Sequence, residues 1–205
     1  MALAPEEQKV YLEGKEEDMK RTIGVILLAV AVGIGAGCED KAKDNAAEAA
    51  LAEIAQVKAQ AETEARNVEL VKTVIAQLEK GEVDVFMRLF APDFKLYSPS
   101  NSTAPISRED AMGMAKMMVT AVPDLAYNIL DAFPSGDRVV LRIGFQGTHR
   151  ATAKGAPPVE SKIASGAMII FRVKDGLIVE EIIDGDALGL FRQLGLELQP
   201  RSPAK

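Results

Sequence analysis

Between Gly136 and Gly195 the chain keeps a strand-and-turn rhythm that leaves it few folds to choose from. Gly136-Asp137 and Asp175-Gly176 each stand as a pair between β-branched and aliphatic runs. This is the strongest short-range hairpin signal in a sequence, because a two-residue turn with positive φ matches the twist of the strands it joins. Long antiparallel strands follow over Val139 to His149, Ser161 to Val173 and Leu177 to Ile183. Alternation places Val139, Leu141, Ile143, Phe145 and His149 on one face of the first, with Arg138, Arg142, Gln146 and Thr148 on the other. The second carries apolar groups on both faces. The third sets Glu180, Ile182 and Asp184 against Val179, Glu181 and Ile183. His149, the one histidine, closes the first strand, and Asp184 and Asp186 close the last. That layout can bring a base and an acid to one mouth of a curved sheet.

Helices precede the strands. Val68, Val71, Ile75 and Leu78 recur at three and four residues and stop at Gly81, the pattern of a core-facing helix. Asp84 is placed to cap a short helix carrying Val85, Phe86, Leu89 and Phe90, ended by Ala91-Pro92. Ser107 followed by Asp110 resembles a capping box for a helix through Met112, Ala115, Met118 and Val119. Met112, Met114, Met117 and Met118 are read first as fillers of irregular core space, and otherwise as a pocket wall. Helices first and strands later make an α+β cone, with the helices on the concave face of a curved antiparallel sheet, the natural solution.

The N-terminal third differs in composition. Residues 1–18 carry Glu6, Glu7, Glu13, Glu16, Glu17 and Asp18 where a signal needs basic residues, so they read as a mis-assigned start with Met19 as the true one. Residues 19–38 read as a signal: Lys20-Arg21, an uncharged run from Thr22, then Gly35-Ala36-Gly37 before Cys38, the one cysteine. The arrangement resembles a bacterial lipoprotein signal. It implies lipidation of Cys38 and a cell-envelope protein anchored in the membrane, facing periplasm or exterior; an uncleaved N-terminal anchor and a buried helix are the alternatives. Residues 39–66 are almost all Ala, Glu, Lys, Gln and Asn, with Leu51, Ile54 and Val57, a composition for an exposed helical stalk or a weak coiled coil. The globular domain spans 67–200, and 201–205 form a tail.

Composition excludes several functions. A formal charge of −6 with lysines and arginines scattered among acids gives no nucleic-acid surface. One cysteine and one histidine cannot build a structural zinc site, so no metal is expected. Neither a phosphate-cradling glycine loop at a helix start nor a Gly-x-Ser-x-Gly elbow is present.

The Lys80-Gly81-Glu82-Val83-Asp84, Pro92-Asp93-Phe94 and Pro123-Asp124-Leu125 turns, Gly147-Thr148-His149, Asp175-Gly176 and Asp186 before Gln193-Leu194-Gly195 occur in one order. Over Asn67 to Pro200 this series resembles the SnoaL-like polyketide (ester) cyclases of the nuclear transport factor 2-like fold group. The resemblance implies that fold, intramolecular aldol chemistry without metal or cofactor, Asp186 as acid/base group and His149 as the residue orienting or polarising the substrate. The chain departs from the family pattern at two places: Tyr97 stands where the family has a histidine and is expected to donate a hydrogen bond to the substrate, and Glu180-Glu181-Ile182 stands where the family has Glu-His-Trp, which alters the pocket's shape and leaves Glu181 outside it. Asp186 has a second available role, capping the helix that contains Leu188, Leu190, Phe191 and Leu194. Asp184 is the reserve carboxylate, and Arg142 and Arg172 are either clamps for a substrate carboxylate or surface charges. The expected protein is thus a membrane-tethered domain binding a small, mostly apolar molecule, with aldol cyclase- or isomerase-type acid/base catalysis. The alternative is a non-catalytic ligand-binding or dimerisation module, since a sheet of this kind can present its outer face to a second copy.

Overall fold

The computed structural model describes residues 40–98, 104–150 and 160–196. The signal-like segment with Cys38, the residues 1–18 and the 201–205 tail lie outside the described residues. Contacts divide the chain between Thr63 and Glu64. In the first unit the described residues belong to helix α1 (Asp40–Glu79), whose Leu51 is exposed. No helix among the described residues is long and apolar enough to cross a membrane.

In the second unit, the Val71, Val74 and Ile75 side of α1 enters the core, and Val68 and Leu78 pack beside it. Asn67 and Glu64 secure this helix to the Gly136-Asp137 turn: Glu64 accepts from the Gly136 N–H at 2.8 Å and the Asn67 amide donates to the Gly136 carbonyl at 3.4 Å. A short helix α2 (Val85–Leu89) follows. Asp84 stands at its N-cap position but makes no side-chain cap, pairing instead with Arg88 at 3.3 Å.

Strand β1 (Phe90–Tyr97) begins at once, so Phe90 and the Pro92-Asp93-Phe94 segment belong to a strand, and Ala91-Pro92 does not end a helix. Proline is tolerated there because the ladder is irregular between Phe90 and Lys95, where no N–H is required of it. After the two-residue β2 (Ile106–Ser107), Ser107 caps α3 (Arg108–Ala121) by accepting from the Asp110 N–H and donating to its carboxylate. Ala111 is buried, whereas Met114 and Met117 are exposed, so two of the four methionines are not core fillers.

Strands β3 (Ala126–Ser135), β4 (Arg138–His149), β5 (Ser161–Lys174) and β6 (Leu177–Gly185) then form an antiparallel meander. Gly136-Asp137 and Asp175-Gly176 are its tight turns, and the second has positive φ at both residues. The sheet order is β2-β1-β6-β5-β4-β3, with β1 and β6 parallel. Only two strands far apart in sequence could pair that way.

One face of the sheet, carrying Leu141, Ile143, Ile169, Phe171 and Ile178, is buried with α1, α2 and α3 in a single core. A second cluster, Val122, Leu125 and Ile163 with Leu190 and Leu194, supports helix α4 (Ala187–Gln193). On β6, Arg172 pairs with Glu180 but Val173 pairs with Ile178, so Val179 bulges out of the ladder. Strict alternation set Ile178 opposite Glu181. The bulge puts Ile178, Glu181 and Ile183 on the same, core-facing side.

Candidate functional site

The segment from Asp186 to Gly195 is explained first by local structure. Asp186 is the N-cap of α4, accepting from the Gly189 N–H at 2.7 Å. The carboxylate lies over Gly189: a β-carbon there would meet the Asp186 Oδ2, so a larger residue would make the capping side chain shift. Gln193 reaches back to β5. Its Oε1 accepts from the Ala164 N–H at 2.8 Å and its amide donates to the Ala164 carbonyl at 2.9 Å. Because β6 pairs with β5 no further than Ala167, Gln193 satisfies backbone groups that no strand reaches. Gly147-Thr148-His149 has a comparable anchor. Thr148 donates its N–H and its hydroxyl to Asp124, each at 2.7 Å, and these bonds hold the Asp124 carboxyl below its ordinary value. The Pro-Asp and Gly-Thr elements thus meet in space and fix the end of β4 to the segment after α3.

Where β4, β5 and β6 pass under α3 and α4, a cavity of about 230 Å³ opens. Leu96, Met114, Phe145, Ala167, Ile183 and Leu190 supply its apolar walls; Ser98, Ser165 and Asp186 are polar. Among these residues Asp186 is the one ionisable group. A cavity below the roughly 300 Å³ at the low end of ordinary ligand sites suits a compact ligand.

The other residues singled out in the sequence are placed elsewhere. His149 is half-buried at the end of β4, opposite Ser161. It lies four residues beyond Phe145, roughly 13 Å along the strand, and is not a cavity wall. Tyr97 alternates with Leu96 and Ser98, which are buried, and so points to the opposite face of the sheet. Asp184 is exposed across from Met168 on that outer face. Arg142 pairs there with Asp131, and Arg172 with Glu180 at 3.4 Å. Asp186 therefore reaches the cavity while Tyr97, Asp184, Arg142 and Arg172 do not. Alternation alone separates the faces of a strand; which face closes over a core depends on the helices.

Two residues of the interior were not singled out as site residues. Ser98 is buried at the cavity wall, a position nothing in its flanking sequence marks. Glu181 is 8% exposed and faces the core, although its sequence context left it outside the pocket. Burial pushes its carboxyl from an ordinary 4.5 up to about 7. The signal was present in the replacement of the family's Glu-His-Trp by Glu180-Glu181-Ile182, which puts a carboxyl at the histidine position.

Helices packed on the concave face of a curved six-stranded sheet, with a cavity near one end, define the nuclear transport factor 2-like fold. Within it the chain belongs to the SnoaL-like polyketide cyclase family, whose model matches residues 68–194. No curated protein matches the chain. Solved structures similar to it include IdmH, a candidate polyketide cyclase from Streptomyces antibioticus, at 26% identity and a TM-score of 0.56, covering 63% of this chain and 99% of IdmH. AclR, a candidate hydroxylase from Streptomyces galilaeus, is 24% identical with a TM-score of 0.59, covering 67% of this chain and 91% of AclR. A candidate SnoaL-like polyketide cyclase from Jannaschia is 22% identical with a TM-score of 0.57, covering 66% and 95% respectively. The latter two likenesses speak to fold alone.

Proposed function

We propose that the domain binds a small, mostly apolar carbonyl compound in this cavity and catalyses cofactor-free proton transfer on it, of aldol cyclase or isomerase type. The observation that carries the reading is a largely apolar cavity whose one ionisable wall is Asp186, the aspartate that the family resemblance marks as acid/base group. A carboxylate beside an enolisable carbon can take its proton and return it to an alkoxide or to another carbon, and no redox partner is required. Asp186 is itself exposed, and Leu96, Phe145, Ile183 and Leu190 would hold the apolar part of the ligand beside it. His149 would act only on a ligand extending well past Phe145.

The test is α-proton exchange of β-tetralone in heavy water, followed by NMR with the full chain. Asp186→Asn should keep the bond to Gly189, since asparagine caps about as well as aspartate, and should lose the exchange. Asp186→Ala should in addition lose about 0.5–2 kcal/mol of stability. Retained exchange in folded Asp186→Asn would remove Asp186 from the chemistry. Absence of exchange in the wild type would favour the non-catalytic binding or dimerisation module.

The domain is further proposed to be held at a bacterial membrane through Cys38. Support comes from Lys20-Arg21, the uncharged run and the small residues before the one cysteine. Mass spectrometry of membrane-extracted protein should find a lipid-modified N-terminus at Cys38. An intact Met1 on most of the protein would overturn the proposal.

A further inference from the structure

A second polar group opens onto the cavity beside Asp186 and has no part in the chemistry above. Ser165 is half-buried on the core-facing side of β5, between Ile163 and Ala167 and across from Phe145 on β4. Phe145 and Ala167 are walls of the cavity, and Ser165 is another. Its hydroxyl has no hydrogen-bond partner among the described residues, so it is left to pair with whatever oxygen enters beside it. Asp186 is close by. Gly185 is registered beside Ala167, and the Asp186 N–H donates to the Gly166 carbonyl at 3.4 Å, which sets Asp186 across from the residue next to Ser165. One strand spacing and one residue of rise put the α-carbons of Ser165 and Asp186 about 6 Å apart. Gly166 and Gly185, both cavity walls, interpose no side chain. Of the Asp186 carboxylate, Oδ1 accepts from the Gly189 N–H at 2.7 Å, and Oδ2 has no partner among the described residues. Ser98, the other hydroxyl residue of the wall, follows Tyr97, which is registered beside Ile182, so it stands about 10 Å down β6 from Asp186.

We infer that Ser165 is the donor that holds the carbonyl oxygen of the ligand while Asp186 takes the proton from the carbon beside it. This deepens the proposed function and rests on it. The two side chains stand one strand apart, a separation that a single C–C=O unit spans with a hydrogen bond of about 2.7–2.8 Å at the serine end and a contact of about 3–3.5 Å at the reacting carbon. As Oδ2 of Asp186 takes the proton, the C–H electron pair becomes the C=C bond and the C=O π pair moves onto the oxygen that Oγ of Ser165 faces. Ser165 keeps its proton and gives only a hydrogen bond, which strengthens as charge develops on that oxygen. Return of the proton from Asp186 to carbon restores the carbonyl, so no co-reactant is consumed. The exposed Asp186 sits at the mouth, and the apolar remainder of the ligand lies toward Leu96, Phe145 and Ile183. This fixes the ligand class as a compact neutral ketone with an enolisable carbon next to its carbonyl, because a carboxylate ligand would set its charge against Asp186.

The test uses the full chain and β-tetralone, with infrared detection of its C=O stretch in ordinary water and α-proton exchange in heavy water. Ser165→Thr and Ser165→Val introduce side chains of one shape, of which only threonine has a hydroxyl, so the pair isolates the donor from packing. The stretch of bound β-tetralone should lie at lower frequency in the wild type and Ser165→Thr than in Ser165→Ala and Ser165→Val. Exchange should fall on the order of a hundredfold in Ser165→Ala and Ser165→Val with little change in KM, the signature of a donor that acts on charge formed in the transition state, and Ser165→Thr should recover most of it. Equal frequency in the wild type and in Ser165→Ala, folded by circular dichroism, would overturn the inference, as would undiminished exchange in Ser165→Ala or no binding at millimolar β-tetralone. A shift that depends on the Ser165 hydroxyl, in a wild type that exchanges no proton, would leave the donor standing and overturn only the catalytic reading.

Discussion

Glu181→Gln is expected to make the protein more stable than the wild type above neutral pH, by about 3 kcal/mol. Burial raises the folded-state carboxyl from 4.5 to about 7, a difference worth about 3 kcal/mol. Below 4.5 the carboxyl is protonated in both folded and unfolded chains and contributes nothing to the pH dependence. Between 4.5 and about 7 the unfolded chain gives up its proton while the folded one keeps it, so wild-type stability falls as pH rises. Above about 7 both are ionised and the full cost persists. Urea unfolding measured from mildly acid to mildly alkaline pH should show this descent in the wild type, whereas Glu181→Gln should remove its contribution. Parallel curves for the two proteins would mean that Glu181 is solvated.

Phe90→Ala should cost about 3–5 kcal/mol, the range for deleting a buried aromatic ring. Phe90 is buried at the junction of α2 and β1, its ring stacked on Phe86 at 4.4 Å and meeting Phe94 edge-on at 4.9 Å. Phe90→Leu keeps most of the apolar volume but loses both ring contacts, each worth about 0.5–1.5 kcal/mol, and should fall between wild type and Phe90→Ala. A lower denaturation midpoint with an unchanged slope is the expected signature. A loss under 1 kcal/mol in Phe90→Ala, in the same measurement, would show that this junction collapses around the gap.

Much of the fold was legible because it is written locally. The Gly136-Asp137 and Asp175-Gly176 turns join the strands that their flanking runs indicated, since turn conformation depends on the turn residues themselves. Ser107 caps α3 and Asp186 caps α4 for the same reason: a cap is an interaction across three residues. The 68, 71, 75 and 78 stripe of α1 meets the core because helical periodicity alone aligns it. The candidate site was legible at Asp186, whose position in the chain is tied to the helix it begins.

The remainder depends on contacts between distant segments. The parallel pairing of β1 with β6 has no sequence signal, and it converts Pro92-Asp93-Phe94 from a turn into part of a strand. The unpaired Val179 reverses the alternation that strand periodicity implies, so Glu181 and Ile178 share a face that neither could be assigned from spacing. Tyr97, Asp184, Arg142 and Arg172 have the residue types of a binding site, yet they stand on the outer side because the helices cover the other. Residue type and local period determined the elements, their turns and their caps. Which side of the sheet lost its water, and therefore which carboxyl became a weak acid in an apolar interior, was decided by the packing of helices onto strands distant in the chain.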